Sequence, residues 1–163
     1  MVDYCDFIAC HIPEDKVLVN QRYLSKNPLQ QKQTKSVFSA HDGVLYLELC
    51  TPDDFEATPK KPVMVWIHGG GWGIGGAHEY TGHSLCISGD VVFVAITYRL
   101  GALGFYGGNW GLWDQLEALK WVKENISAFG GDPDNVTIFG ESAGGWSVEA
   151  LMSSQHAKDR IEM

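Results

Sequence analysis

The sequence predicts an α/β protein, a mostly parallel sheet with helices packed on it. Three observations carry that prediction. Val63-Met64-Val65-Trp66-Ile67-His68 and Val91-Val92-Phe93-Val94-Ala95-Ile96-Thr97-Tyr98 are apolar on both faces, the pattern of buried parallel strands. Beyond them, Leu112, Leu116, Leu119, Val122 and Ile126 recur at helical spacing, so that strands and helices alternate. A further β-branched strand, Val136-Thr137-Ile138-Phe139, runs into Gly140-Glu141-Ser142-Ala143-Gly144 and on into another helical pattern.

Taken in order, residues 1 to about 40 show no clean period of 2 or 3.6, and a Gln/Lys/Ser stretch runs from Leu29 to Ser36. Loops and short strands are expected there. Leu45-Tyr46-Leu47-Glu48-Leu49-Cys50 reads as a strand that stops at the turn signal Thr51-Pro52-Asp53-Asp54. A polar linker through Lys60-Lys61-Pro62 leads into the strand at Val63. The Gly69-Gly70-Gly71-Trp72-Gly73 loop follows it at once. Successive glycines at the carboxyl end of a buried strand let backbone N–H groups converge on one point, because no Cβ stands in the way. Such a loop can serve as an oxyanion hole, a phosphate cradle or a hinge. A Walker loop would close on Gly-Lys-Ser/Thr and a dinucleotide fingerprint would open a helix inside the glycines, and neither pattern is present.

After the second strand, Arg99-Leu100-Gly101-Ala102-Leu103-Gly104-Phe105 forms a Gly-punctuated loop, and Gly130-Gly131-Asp132-Pro133 ends the helix that begins near Leu112. Ser142 then stands at a sharp strand-to-helix turn. A serine can project from such a turn only if the residues two before and two after it are tiny, a demand that Gly140 and Gly144 meet. The competing reading is a serine that merely caps a helix. Ligands in parallel sheets sit at the carboxyl ends of the strands, and both Gly-rich stretches lie at such ends. That coincidence favours a nucleophile.

Composition sets outer bounds. The 163 residues suit one domain, 45% of them hydrophobic and 20% charged. With 12 basic against 20 acidic residues the net charge is -8 and no Lys/Arg cluster is present, which argues against nucleic acid as a partner. No apolar run has the length of a membrane span. Met1-Val2-Asp3-Tyr4-Cys5-Asp6 carries no basic or sustained apolar leader, so the default expectation for location is the cytoplasm. Cys5, Cys10, Cys50 and Cys86 match no zinc or redox spacing and read as small hydrophobes. His78 and His83 are five apart, roughly 140° around a helix, so they do not share a metal from one face. No metal and no cofactor is expected.

Several blocks, in order, resemble the type-B carboxylesterase/cholinesterase family: Leu45-Tyr46-Leu47 through Thr51-Pro52, Pro62 to Trp72, Tyr98-Arg99-Leu100-Gly101, Gly108 to Gln115, Phe129 to Pro133, and Val136 to Gly145. The resemblance covers about residues 45 to 154. It implies an α/β-hydrolase fold and hydrolysis of small-molecule carboxylic esters by a Ser–His–Glu/Asp triad. It further implies Ser142 as nucleophile, Gly70, Gly71 and Ala143 as oxyanion-hole donors, and Glu141 as the acidic neighbour of the serine.

Departures from the family are as informative. Its triad acid and histidine follow the serine, whereas only 21 residues follow Ser142 here. Of six histidines, His11, His41, His68, His78 and His83 precede Ser142, and His156 lacks the family's histidine context. His68 reads as a structural residue behind the Gly-rich loop, and no triad acid or histidine is identified. The segment before Leu45 does not follow the family, and Asp42-Gly43-Val44 stands where the family has Glu-Asp-Cys. Its first disulfide is thereby absent, which counts against an oxidising compartment. Asn125-Ile126-Ser127 and Asn135-Val136-Thr137 are formal glycosylation sequons.

The expectation is an atypical segment, 1–44, followed by the N-terminal part of a carboxylesterase domain, 45–163, that lacks the triad acid and base and is inactive alone. Its Val136–Phe139 strand, central in complete α/β-hydrolases, would form an exposed edge open to self-association. The alternatives are a catalytically silent cholinesterase-like binding or adhesion protein, against which Ser142 speaks and for which the missing base speaks, and a lipase or hormone-sensitive-lipase relative, against which the Asn109–Gln115 and Phe129–Pro133 blocks speak.

Overall fold

The computed structural model describes residues 35–41, 45–51 and 59–161. Expectations for residues 1–34, Asp42-Gly43-Val44 and Pro52-Asp53-Asp54 lie outside them. Among the described residues five strands form one sheet: β1 (Lys35–His41), β2 (Leu45–Thr51), β3 (Lys61–Ile67), β4 (Val92–Ile96) and β5 (Gly131–Gly140), in the order β1-β2-β4-β3-β5. The helices are α1 (His83–Gly89), α2 (Gly101–Phe105), α3 (Trp110–Asn125), α4 (Ala143–Ser153) and α5 (Gln155–Ile161). Strands β4, β3 and β5 run parallel, while β1 and β2 join the flank antiparallel. The strand at Leu45 is present, and β1 precedes it in the same sheet.

Alternation along β3 and β4 creates two faces, because successive side chains point to opposite sides. Val63, Val65 and Ile67 with Val92, Val94 and Ile96 face one way, fully buried with Leu116, Leu119 and Val122 of α3 and Leu151 of α4. Each such burial contributes roughly 1.5–3 kcal/mol. Phe93 and Ala95 face the other way, packing with Cys50, Ala77 and Cys86 of α1. On that second face β4 is completely covered, whereas β3 leaves Met64 and Trp66 half-buried.

Helix α3 stops where the sequence signals it. Ile126–Phe129 tightens into a 3₁₀ turn and Gly130 takes φ 82, the left-handed cap that glycine adopts without a Cβ penalty. Strand β5 begins earlier than its apolar run, at Gly131, because Gly131 pairs with Lys61 before a register shift brings Val136 opposite Val63. Pro133 is tolerated there since β5 pairs, among the described residues, only with β3.

Candidate active site

Strand β3 ends at Ile67, and the chain crosses above the sheet as His68 and the loop 69–76. The loop turns tightly, with Gly70 O accepting the N–H groups of Gly73 at 3.0 Å and Ile74 at 3.2 Å. Gly70 holds φ 98, and a Cβ there would run into the Ile74 carbonyl, so only glycine fits. Gly70 and Gly71 are exposed, and among the described residues their N–H groups have no backbone acceptor.

Strand β5 delivers Ser142 to the same end of the sheet. Ser142 has φ 54 and ψ −121, a conformation that costs a non-glycine residue about 1–3 kcal/mol and persists only where its surroundings enforce it. Two close approaches enforce it here. A Cβ on Gly140 would lie 2.6 Å from the Ile67 carbonyl oxygen, and one on Gly144 would clash with the same oxygen. Helix α4 therefore starts against the end of β3, with Ala143 as its first residue, where N–H groups have no intrahelical acceptor and the helix dipole favours negative charge.

The Gly-rich loop and the turn at Ser142 meet. A Cβ on Gly69 would stand 2.7 Å from Glu141 Oε2 and 3.2 Å from Ser142 Cβ. Of the residues singled out in the sequence, Ser142, Glu141, Gly70 and Gly71 are exposed and Ala143 is buried.

His68 lies behind the loop, fully buried, its Nδ1–H donating to Gly69 O at 2.8 Å and its ring stacked on Tyr98 at 4.5 Å. Tyr98 in turn donates its O–H to His68 O at 2.6 Å, and burial pushes that phenol up to about 12, so it remains a donor. Burial also lowers the His68 pKa, which keeps the ring neutral. His156 packs on Trp113. Neither histidine hydrogen-bonds Ser142. His78 lies in the 3₁₀ turn Ala77–Glu79 and His83 opens α1, and among the described residues no group of three or more His, Cys, Asp or Glu side chains is arranged to hold a metal.

A second set of residues, to which the sequence reading gave no role, braces the two loops. Trp72 holds φ 57 and donates Nε1–H to Ser147 Oγ of α4 at 3.0 Å, and Gln115 of α3 donates to the same oxygen at 3.1 Å. Gly101 N–H donates to Trp72 O at 2.6 Å, fixing the 99–105 segment beneath the loop. Arg99 closes a bidentate pair on Asp114 at 2.7 and 2.6 Å, and its own N–H also donates to Asp114. Trp72, Arg99, Asp114 and Gln115 all lie inside the blocks that carry the family resemblance, the one signal by which the sequence could have pointed to them.

A profile of the carboxylesterase family matches residues 16–162. The chain belongs to the carboxylesterase family. Liver carboxylesterase 1F of Rattus norvegicus is 49% identical over 138 residues, covering 80% of this chain and 25% of the relative. Carboxylesterase 1D of Rattus norvegicus is 53% identical over 125 residues, 72% of this chain and 22% of the relative. Among solved structures, a thermophilic PNB esterase superposes with TM-score 0.65 at 50% identity, over 74% of this chain and 27% of that one. Carboxylesterase Est55 of Geobacillus stearothermophilus superposes with TM-score 0.67 at 45% identity, over 71% and 28%. This carboxylesterase chain thus has the α/β-hydrolase fold in part, and spans about a quarter of the length of the curated relatives it matches.

Proposed function

We propose that the chain carries the nucleophile and the oxyanion hole for hydrolysis of small-molecule carboxylic esters. The observation that carries this reading is the strained Ser142 turn standing against the Gly69–Gly71 loop. In the proposed reaction Ser142 Oγ attacks the ester carbonyl and its proton passes to a base. The carbonyl oxygen becomes an oxyanion, held in this proposal by the N–H groups of Gly70, Gly71 and Ala143. Fixed donors stabilise that charge without reorganising, and losing one typically costs about 10²–10³ in rate. Expulsion of the alcohol leaves an acyl ester on Ser142, which water then cleaves. Glu141 supplies negative charge beside the serine.

The acid and the base of the triad are not assigned to any of these 163 residues, so the chain alone should turn esters over very slowly. In subtilisin, loss of the histidine costs about 10⁶ in kcat. We assign residues 45–163 to the N-terminal part of the catalytic domain and 1–44 to an atypical lead segment. Strand β5, which among the described residues has one partner strand, is the surface proposed for self-association. The test of the reaction is turnover of a p-nitrophenyl ester. The reading expects no practical turnover by this chain; many turnovers per second, abolished by Ser142→Ala, would contradict the absence of a base. A silent binding protein would show none even after a full-length carboxylesterase C-terminal portion is fused to it.

A further inference from the structure

Away from Ser142, on the opposite face of the sheet, two cysteines meet in a closed apolar site. Cys50 on β2 and Cys86 on α1 are 2% and 1% exposed, enclosed by Ala77, Phe93 and Ala95 with Trp66 and Phe139 behind them. Both are thiols. Cys86 Sγ donates to Cys50 O at 3.1 Å, and the Cys50 side chain hydrogen-bonds the Cys86 sulfur. That second bond lowers the Cys86 pKa, with burial opposing it; the thiolate is the form of a thiol that reacts with oxidants.

We propose that Cys50 and Cys86 form a disulfide when a peroxide oxidises the protein, stapling β2 to α1. The Cys86 thiolate attacks one peroxide oxygen, forming an S–O bond as the O–O bond breaks and hydroxide leaves. The Cys50 sulfur then attacks the sulfenic sulfur, the S–S bond forms, and water leaves with the second oxygen. Two thiols and one hydrogen peroxide become one disulfide and two waters; the thiols lose two electrons and the peroxide gains them. The cross-link closes a segment of 36 residues and restricts the unfolded chain, so it stabilises the fold. This inference is independent of the reading at Ser142.

The experiment treats the full chain with hydrogen peroxide under native conditions and in urea, alkylates the remaining thiols, and maps the disulfides by non-reducing mass spectrometry. Mapping is needed because Cys5 and Cys10 are also present. The proposal expects one dominant Cys50–Cys86 peptide in the native sample, reversed by dithiothreitol, and mixed pairings in urea. It also expects a melting temperature higher by about 5 °C in the oxidised form. In Cys50→Ala the Cys86 sulfenic acid should be trapped by a dimedone probe. Recovery of Cys50 and Cys86 as alkylated thiols after native oxidation, or the same mixed pairings with and without urea, would overturn it. Neither result depends on a variant that has to fold.

Discussion

At the residue scale the site rests on positions where one atom more would not fit. Gly144 is the clearest, since an added Cβ meets the Ile67 carbonyl, a backbone atom that cannot rotate away. Gly144→Ala should therefore destabilise the chain by about 3 kcal/mol, read as a lower urea midpoint, where an exposed substitution would move it by less than about 0.5. The need for small residues around Ser142 was legible in the sequence because it is a matter of size. The left-handed φ of Trp72 was not, because nothing about an aromatic side chain announces it; a bond to Ser147 holds it there. His68 gives a second prediction. Burial is the largest influence on its pKa, lowering it from 6.5, with the Gly69 hydrogen bond and Glu79 opposing and His78 adding slightly. Below pH 6.5 the unfolded chain takes up a proton that the folded chain resists, so stability is full above that pH and falls as pH drops toward the folded value. His83, also lowered by burial, contributes with the same sign. The melting temperature should fall on acidification through this window, and His68→Gln should flatten the slope.

At the element scale, the Gly-rich loop is tied to α4 and α3 through a single hydroxyl. Trp72→Phe removes one donor from Ser147 and leaves Gln115 in place, an expected loss of about 0.5–1.5 kcal/mol. Ser147→Ala should cost more, about 1–3 kcal/mol for each donor stranded, since Ser147 is fully buried and both donors lose their acceptor. Urea unfolding of the two single variants and the double variant measures this, and the double should fall short of the sum because the variants share one bond. A Trp72→Phe loss larger than that of Ser147→Ala would contradict the account. Strands β3 and β4 were legible from their apolar runs and α3 from its spacing. The start of β5 at Gly131 was not, because pairing with Lys61 decides it and no local pattern does. The antiparallel joining of β2 to β4 was equally out of reach, since strand direction depends on the path between strands.

At the scale of the whole molecule, the sheet of the described residues ends on β5, the strand that leads into Ser142, with Thr137 exposed and Val136, Ile138 and Phe139 half-buried. Such an edge offers unpaired backbone groups to another strand. The net charge of -8 opposes association, so added salt should strengthen it. Light scattering over a dilution series should show mass rising with concentration, and Thr137→Lys should reduce it. A sharp monomer at every concentration would contradict the edge proposal. The assignment of Ser142 as a nucleophile lacking its base is tested most directly by a fluorophosphonate probe, because such a probe reacts quickly only with a serine whose proton has an acceptor. Labelling of the 163-residue chain, mapped by mass spectrometry, should stay near background. It should appear at Ser142 once a carboxylesterase C-terminal portion with its acid and histidine is fused on, and vanish again in Ser142→Ala. Rapid stoichiometric labelling of the 163-residue chain at Ser142, or none in a folded fusion, would contradict the assignment.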